Sequence, residues 1–155
     1  MSHDLDLLIA SELKRLDVLI GSRRELIARS LRDYPSMEEL DALSALLHSA
    51  YTSMERILTH VAKNEGADAD LRSKSFMWHT ALLNTLANPI GGRPAILSKE
   101  LHVSLGEYLS FRHLFRHAYL HELQWSKMRT LVEDLEKVIL SFTCEINNYV
   151  SRHHL

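Results

Sequence analysis

Apolar residues recur at three- and four-residue spacing along almost the whole chain, and that period fits amphipathic helices and little else. A half-buried strand would alternate at period two, and neither strand-like alternation nor a hairpin dipeptide stands out. Only five glycines and three prolines punctuate the 155 residues. The expected fold class is therefore all-α, an antiparallel bundle of four to five helices in one domain over residues 1–155.

The first helix is expected over about residues 4–33, with Leu5, Leu8, Ile9, Leu13, Leu16, Ile20 and Ile27 inward and Pro35 ending it. Ser36 and Glu39 have the spacing of a capping box, in which the serine accepts an amide proton and the glutamate reaches back. The second helix carries Leu40, Leu43, Leu47, Tyr51, Met54, Leu58 and Val61, then fades into the polar stretch NEGADAD. A third, shorter helix holds Trp78, Leu82, Leu83 and Leu86. The segment NPIGGRP then forces a loop, since Gly and Pro both oppose helix continuation. Ser98 is placed to cap a fourth helix running toward Tyr119. An elbow near Leu120–Leu123 leads to a fifth helix with Met128, Leu131, Leu135, Val138, Phe142, Ile146 and Tyr149.

Composition narrows the function. The formal charge is −2, so any contact with nucleic acid has to come from local clusters of Lys and Arg. The lone cysteine, Cys144, excludes an internal disulfide and a cysteine-based zinc site; its apolar sequence neighbours suggest a buried, inert thiol. The first residues, MSHDLDLLIASELKRL, lack the basic-then-apolar order of a signal peptide. No stretch approaches the roughly 18 apolar residues of a spanning helix. A cytoplasmic protein with no membrane association is the expectation.

Functional residue types concentrate in EYLSFRHLFRHAYLHEL, residues 107–123. Arg112, His113, Arg116, His117, Tyr119 and His121 lie within ten positions of one another. Such groups repel when charged, so a purely structural helix gains nothing from gathering them. Together they offer the local charge a phosphate needs. At about 100° per residue, Arg112, Arg116 and Tyr119 share a face, while Arg112 and His117 stand about 140° apart. One scissile phosphate reaches both only if the helix loosens there or a second copy completes the site, a geometric argument for a homodimer. Two other readings remain open at this point. The cationic residues suit a plain solvated helix face, and His113, His117 and His121 at i, i+4 and i+8 suit a metal-binding stripe, although no carboxylate shares that stripe. Tyr119 also suits simple packing. Trp78 and His79 are read as core and as a satisfied histidine, Arg93 as a structural or phosphate contact, and Arg152, His153 and His154 as frayed terminal residues.

The octapeptide RHLFRHAY, 112–119, resembles the signature of HepT-like toxins in the HEPN superfamily: Arg, a polar residue, variable positions, His, one residue, Tyr. The likeness extends to YTSMERIL at 51–58, to WHTALLNTL at 78–86, which is similar to the family's third helix, and to RPAILSKEL at 93–101, leading into the signature helix. The resemblance implies a helical bundle that forms homodimers with the motif at the interface and cleaves RNA without metal or cofactor, as the toxin of a type VII-like HEPN/MNT toxin–antitoxin pair. It implies Arg112 and His117 as catalytic residues, His113 and Arg116 as support, and Tyr119 as the residue onto which an MNT-type nucleotidyltransferase antitoxin transfers AMP. The residue after the arginine is often Asn or Asp in that family; here it is His113, with a role as orienter of Arg112 or as a second acid or base. The chemistry agrees, since imidazole transfers protons near neutrality and guanidinium matches phosphate oxygens as charge develops. tRNA is the favoured substrate, with mRNA open. The alternatives are a non-catalytic helical module that docks a nucleotidyltransferase, and a histidine-stripe metal-binding bundle.

Overall fold

The computed structural model describes residues 3–72, 77–117 and 124–154. It is all-α, with six helices among these residues: α1 (His3–Arg32), α2 (Met37–Asn64), α3 (Asp68–Arg72), α4 (Trp78–Leu86), α5 (Lys99–His117) and α6 (Trp125–Arg152). Five match the expected elements. The sixth, α3, is a five-residue turn inside NEGADAD and the residues after it, where Leu71 is buried. None of the described helices is long and apolar enough to cross a membrane.

Helix α2 is the centre of the packing, touching α1, α3, α4, α5 and α6. Its residues Leu43, Tyr51, Met54, Ile57, Leu58 and Val61 are all fully buried. Each such aliphatic side chain contributes about 1.5–3 kcal/mol relative to exposure. Leu5, Ile9, Leu16 and Ile20 of α1 and Met128, Leu135, Phe142 and Ile146 of α6 close the same cluster. Leu8, Leu13 and Ile27 of α1 are only partly buried, so the inward stripe of that helix is narrower than its apolar residues suggest.

The ends of the helices carry their own chemistry. Ser36 Oγ accepts from the Glu39 amide at 3.2 Å, but the expected reach-back by Glu39 is absent because its carboxylate pairs with Arg29 of α1 at 3.2 Å. That pair ties the two helices across their short connection. At the start of α5, Ser98 Oγ accepts from the Leu101 amide at 3.1 Å, and Glu145 of α6 accepts from the Ser98 amide at 2.9 Å. The second half of a capping box is thus supplied from another helix, which fixes α5 on α6.

Two expectations need correction. A hairpin dipeptide does exist: Gly91 and Gly92 take positive φ, and Ile90 and Arg93 exchange both backbone hydrogen bonds, at 3.1 and 2.9 Å. Gly-Gly permits this two-residue turn because both central residues need φ > 0. Cys144 is exposed. It follows Phe142 by two residues and precedes Ile146 by two, so the turn of the helix carries it to the opposite side of α6 from the buried stripe.

Candidate active site

Glu55 lies inside the apolar stripe of α2, between Met54 and Ile57, with 7% of its side chain exposed. A carboxylate so placed needs partners, because losing hydration without compensation costs several kcal/mol. It has two. Arg112 of α5 donates from Nη1 to Oε1 at 2.6 Å, and Nδ1 of His79 on α4 lies 2.7 Å from Oε2. Three helices therefore meet at one carboxylate.

Arg112 is itself buried, 8% exposed, which does not suit the reading of the cationic residues as a plain solvated helix face. Its guanidinium carbon sits 5.8 Å from the centroid of the Tyr51 ring, a cation–π distance. Its Nε is buried with no hydrogen-bond partner. Tyr51 is fully buried; burial first, and then the adjacent Glu55 charge, push its hydroxyl far above its ordinary range. His48, one turn earlier on α2, packs its ring on Phe115 at 5.2 Å. Burial lowers its pKa, helped by the positive charges of Arg112 and Arg116 and opposed by Glu55. Nδ1 of His48, the Tyr51 hydroxyl and Thr52 Oγ1 are likewise buried without hydrogen-bond partners.

The remaining motif residues divide. His113 is exposed, with its ring edge-on to His79 at 6.1 Å between centroids. Arg116 is exposed and near enough to His48 to affect its protonation. Helix α5 remains α-helical through His117, so the loosening considered from sequence does not occur before that residue. The side chain of His117, all of Tyr119 and His121, and the elbow at 120–123 lie outside the described residues. Among the described residues no group of three or more His, Cys, Asp or Glu is gathered for a metal ion.

Sequence reasoning missed Glu55 and took His79 as a bystander. His79 is indeed satisfied, but by the carboxylate that also holds Arg112. The clue was available in the sequence: position 55 falls on the stripe of Tyr51, Met54 and Leu58, where a charged residue requires a buried counter-charge.

A second polar cluster lies just past the end of α2. The Glu65 carboxylate, 4% exposed, accepts from Arg93 at 2.8 Å and from the Tyr149 hydroxyl at 2.8 Å, and Nε2 of His153 is 3.0 Å away. Burial alone would raise the pKa of Glu65, but Tyr149, Arg93 and His153 together outweigh it and hold the group below its ordinary value. His154 pairs with Asp6 at 3.1 Å. The end of α6 is docked, contrary to the frayed terminus expected, and Arg93 makes a structural ion pair.

The sequence model of a family described as HepT-like protein matches residues 42–153. No curated protein and no solved structure matches the chain.

Proposed function

The chain belongs to the family of HepT-like proteins, and from that premise we propose that it is the ribonuclease toxin of a toxin–antitoxin pair, acting without metal. The observation that carries this reading is the cation of Arg112, held by Glu55 next to the imidazoles of His79 and His113. A metal-independent cleavage of RNA uses the neighbouring 2′-hydroxyl as nucleophile. It needs proton-transfer groups and a fixed positive charge for the phosphorane-like transition state. In this reading Arg112 and His117 are the catalytic residues, supported by His113 and Arg116. Two copies associate so that their α5 helices face each other. The partner is an MNT-type nucleotidyltransferase that silences the toxin by placing AMP on Tyr119, and tRNA is the favoured substrate over mRNA.

One observation favours a second reading. Arg112 is 8% exposed and bonded to a buried carboxylate, as in a purely structural ion pair. That would suit a non-catalytic module that docks a nucleotidyltransferase. Incubating the purified protein with tRNA and with mRNA in excess EDTA decides between them. Cleavage that persists in EDTA and is abolished in Arg112→Lys supports the ribonuclease. An inert wild-type protein that still binds its nucleotidyltransferase supports the docking module.

A further inference from the structure

We propose that His79, oriented by Glu55, takes the proton from the attacking 2′-hydroxyl, and that His113 returns a proton to the leaving 5′-oxygen. This rests on the ribonuclease reading and amends it, giving the two proton steps to His79 and His113 in place of His117. Positions 112 and 117 stand about 140° apart on an α5 that stays helical. Position 117 therefore lies off the Arg112 face within one subunit, and α4 brings another imidazole to the carboxylate that holds Arg112.

The geometry at Glu55 is that of an oriented imidazole. Its Oε2 accepts from Nδ1 of His79 at 2.7 Å, which fixes the tautomer with the lone pair on Nε2, the arrangement in which a carboxylate readies a histidine as a base. The Trp78 ring lies tilted against the same ring, 3.9 Å between centroids, so its orientation is held from two sides. A carboxylate meeting Arg alone often engages the guanidinium fork with both oxygens. Here Glu55 gives one oxygen to Arg112 and the other to His79, tying cation and imidazole to one anchor. The His79 side chain keeps 13% of its surface exposed, and the exposed His113 stands edge-on beside it.

In the step, Nε2 of His79 accepts the 2′-hydroxyl proton as the 2′-oxygen bonds to phosphorus. The bond from phosphorus to the 5′-oxygen breaks, and protonated His113 gives that oxygen its proton. The products are a 2′,3′-cyclic phosphate and a 5′-hydroxyl end. Solvent returns one proton to His113 and takes one from His79. Among the described residues, Glu55 of α2 bonds His79 and Arg112 of α5 takes the other oxygen of that carboxylate, while Arg116 lies one turn from His113 on α5.

The test is steady-state cleavage of tRNA by the full chain, comparing wild type, His79→Gln, His113→Gln and His117→Ala, with thermal melting of each. Gln at position 79 keeps a donor for Glu55, and position 113 is exposed, so both variants should fold. His79→Gln should lower kcat by roughly 10²–10³-fold with little change in KM, as loss of a proton-transfer group does. It should also lose the acid limb of the pH–rate profile and regain activity with added imidazole. His113→Gln should lose the alkaline limb, whereas His117→Ala should keep both limbs, and loss of either limb in His117→Ala overturns this assignment of the proton steps. Wild-type cleavage with His79→Gln within about threefold of it and the acid limb intact overturns this inference and leaves the ribonuclease reading standing. Products with 3′-hydroxyl and 5′-phosphate ends overturn the 2′-hydroxyl route. No cleavage of any RNA by the wild type overturns both readings.

Discussion

Arg112 and Glu55 meet at 2.6 Å with only 10% and 7% of their side chains exposed, so each takes the place of water around the other. Glu12 and Arg56 repeat the arrangement on the α1 side of α2, at 2.9 Å, but there the arginine side chain is half exposed. The difference separates an ion pair that spans a surface from one built into the interior. It also means that Arg112 has a structural role whatever else it does.

Arg112→Ala should therefore be destabilising. Breaking a buried pair from one side costs about 3–5 kcal/mol, and the low end applies because His79 still satisfies the other oxygen of Glu55. Urea unfolding should find a loss of about 3 kcal/mol for Arg112→Ala and a smaller one for Arg112→Lys, which keeps the charge. For this reason Arg112→Lys is the variant on which to read activity. Equal stability of Arg112→Ala and wild type would show that the pair adds nothing to the fold.

The Glu65 cluster should behave differently. Tyr149→Phe removes the hydroxyl that donates to Glu65 and accepts from Asn64, each at 2.8 Å. Two lost hydrogen bonds predict about 1–3 kcal/mol, visible as a lower urea midpoint, with RNA cleavage per folded molecule unchanged. A fall in kcat at unchanged stability would assign this cluster to the active site instead.

Most of the helical frame could be read from periodicity because α1, α2 and α6 are long and their inward stripes regular. Helix α3 escaped because a five-residue turn is too short to show a period. Cys144 misled because its sequence neighbours are apolar while its position on the helical wheel faces outward. Arg112, His113 and Arg116 were legible as local charge on one helix. Glu55 and His79 were not read as partners, since helix periodicity places a residue on a face but does not say which distant residue meets it. The docking of Arg93 and His153 on Glu65 depends on the Gly91–Gly92 turn and the end of α6 coming together, which is a tertiary fact.

Acidification should act at two groups. The folded pKa of His48 is below its ordinary 6.5, so the unfolded chain takes up a proton first and stability falls as pH drops below about 6.5. His48→Phe keeps a ring against Phe115 and removes that loss. The groups facing His48 are Arg112 and Arg116 from α5 and Glu55 from its own helix. Glu65, also held below its ordinary 4.5, contributes stability above that pH and loses it as pH falls through the lower folded value. Unfolding free energies from pH 8 to 4 should show the variant gaining on wild type from about pH 6.5 downward. A constant difference across that range would contradict the His48 assignment.

The last prediction concerns silencing. Tyr119 follows His117 by two positions in the sequence, and the helical period read from sequence would put position 119 about 20° from Arg112. On that expectation, a group attached there would bring a phosphate anion toward the residues proposed to meet the substrate phosphate. Transfer forms a bond between the Tyr119 oxygen and the α-phosphorus of ATP and releases pyrophosphate, with the phenolic proton passing to solvent. Incubation with the partner nucleotidyltransferase, ATP and Mg²⁺ should raise the intact mass by one or more AMP units, map the addition to Tyr119 and stop RNA cleavage. Tyr119→Phe should remain unlabelled, and its cleavage should continue in the presence of that partner. Labelling at another residue, or silencing of Tyr119→Phe as complete as that of wild type, would show that the partner acts by another site or by binding alone. The ribonuclease reading survives either result, because it depends on Arg112 and the imidazoles around it.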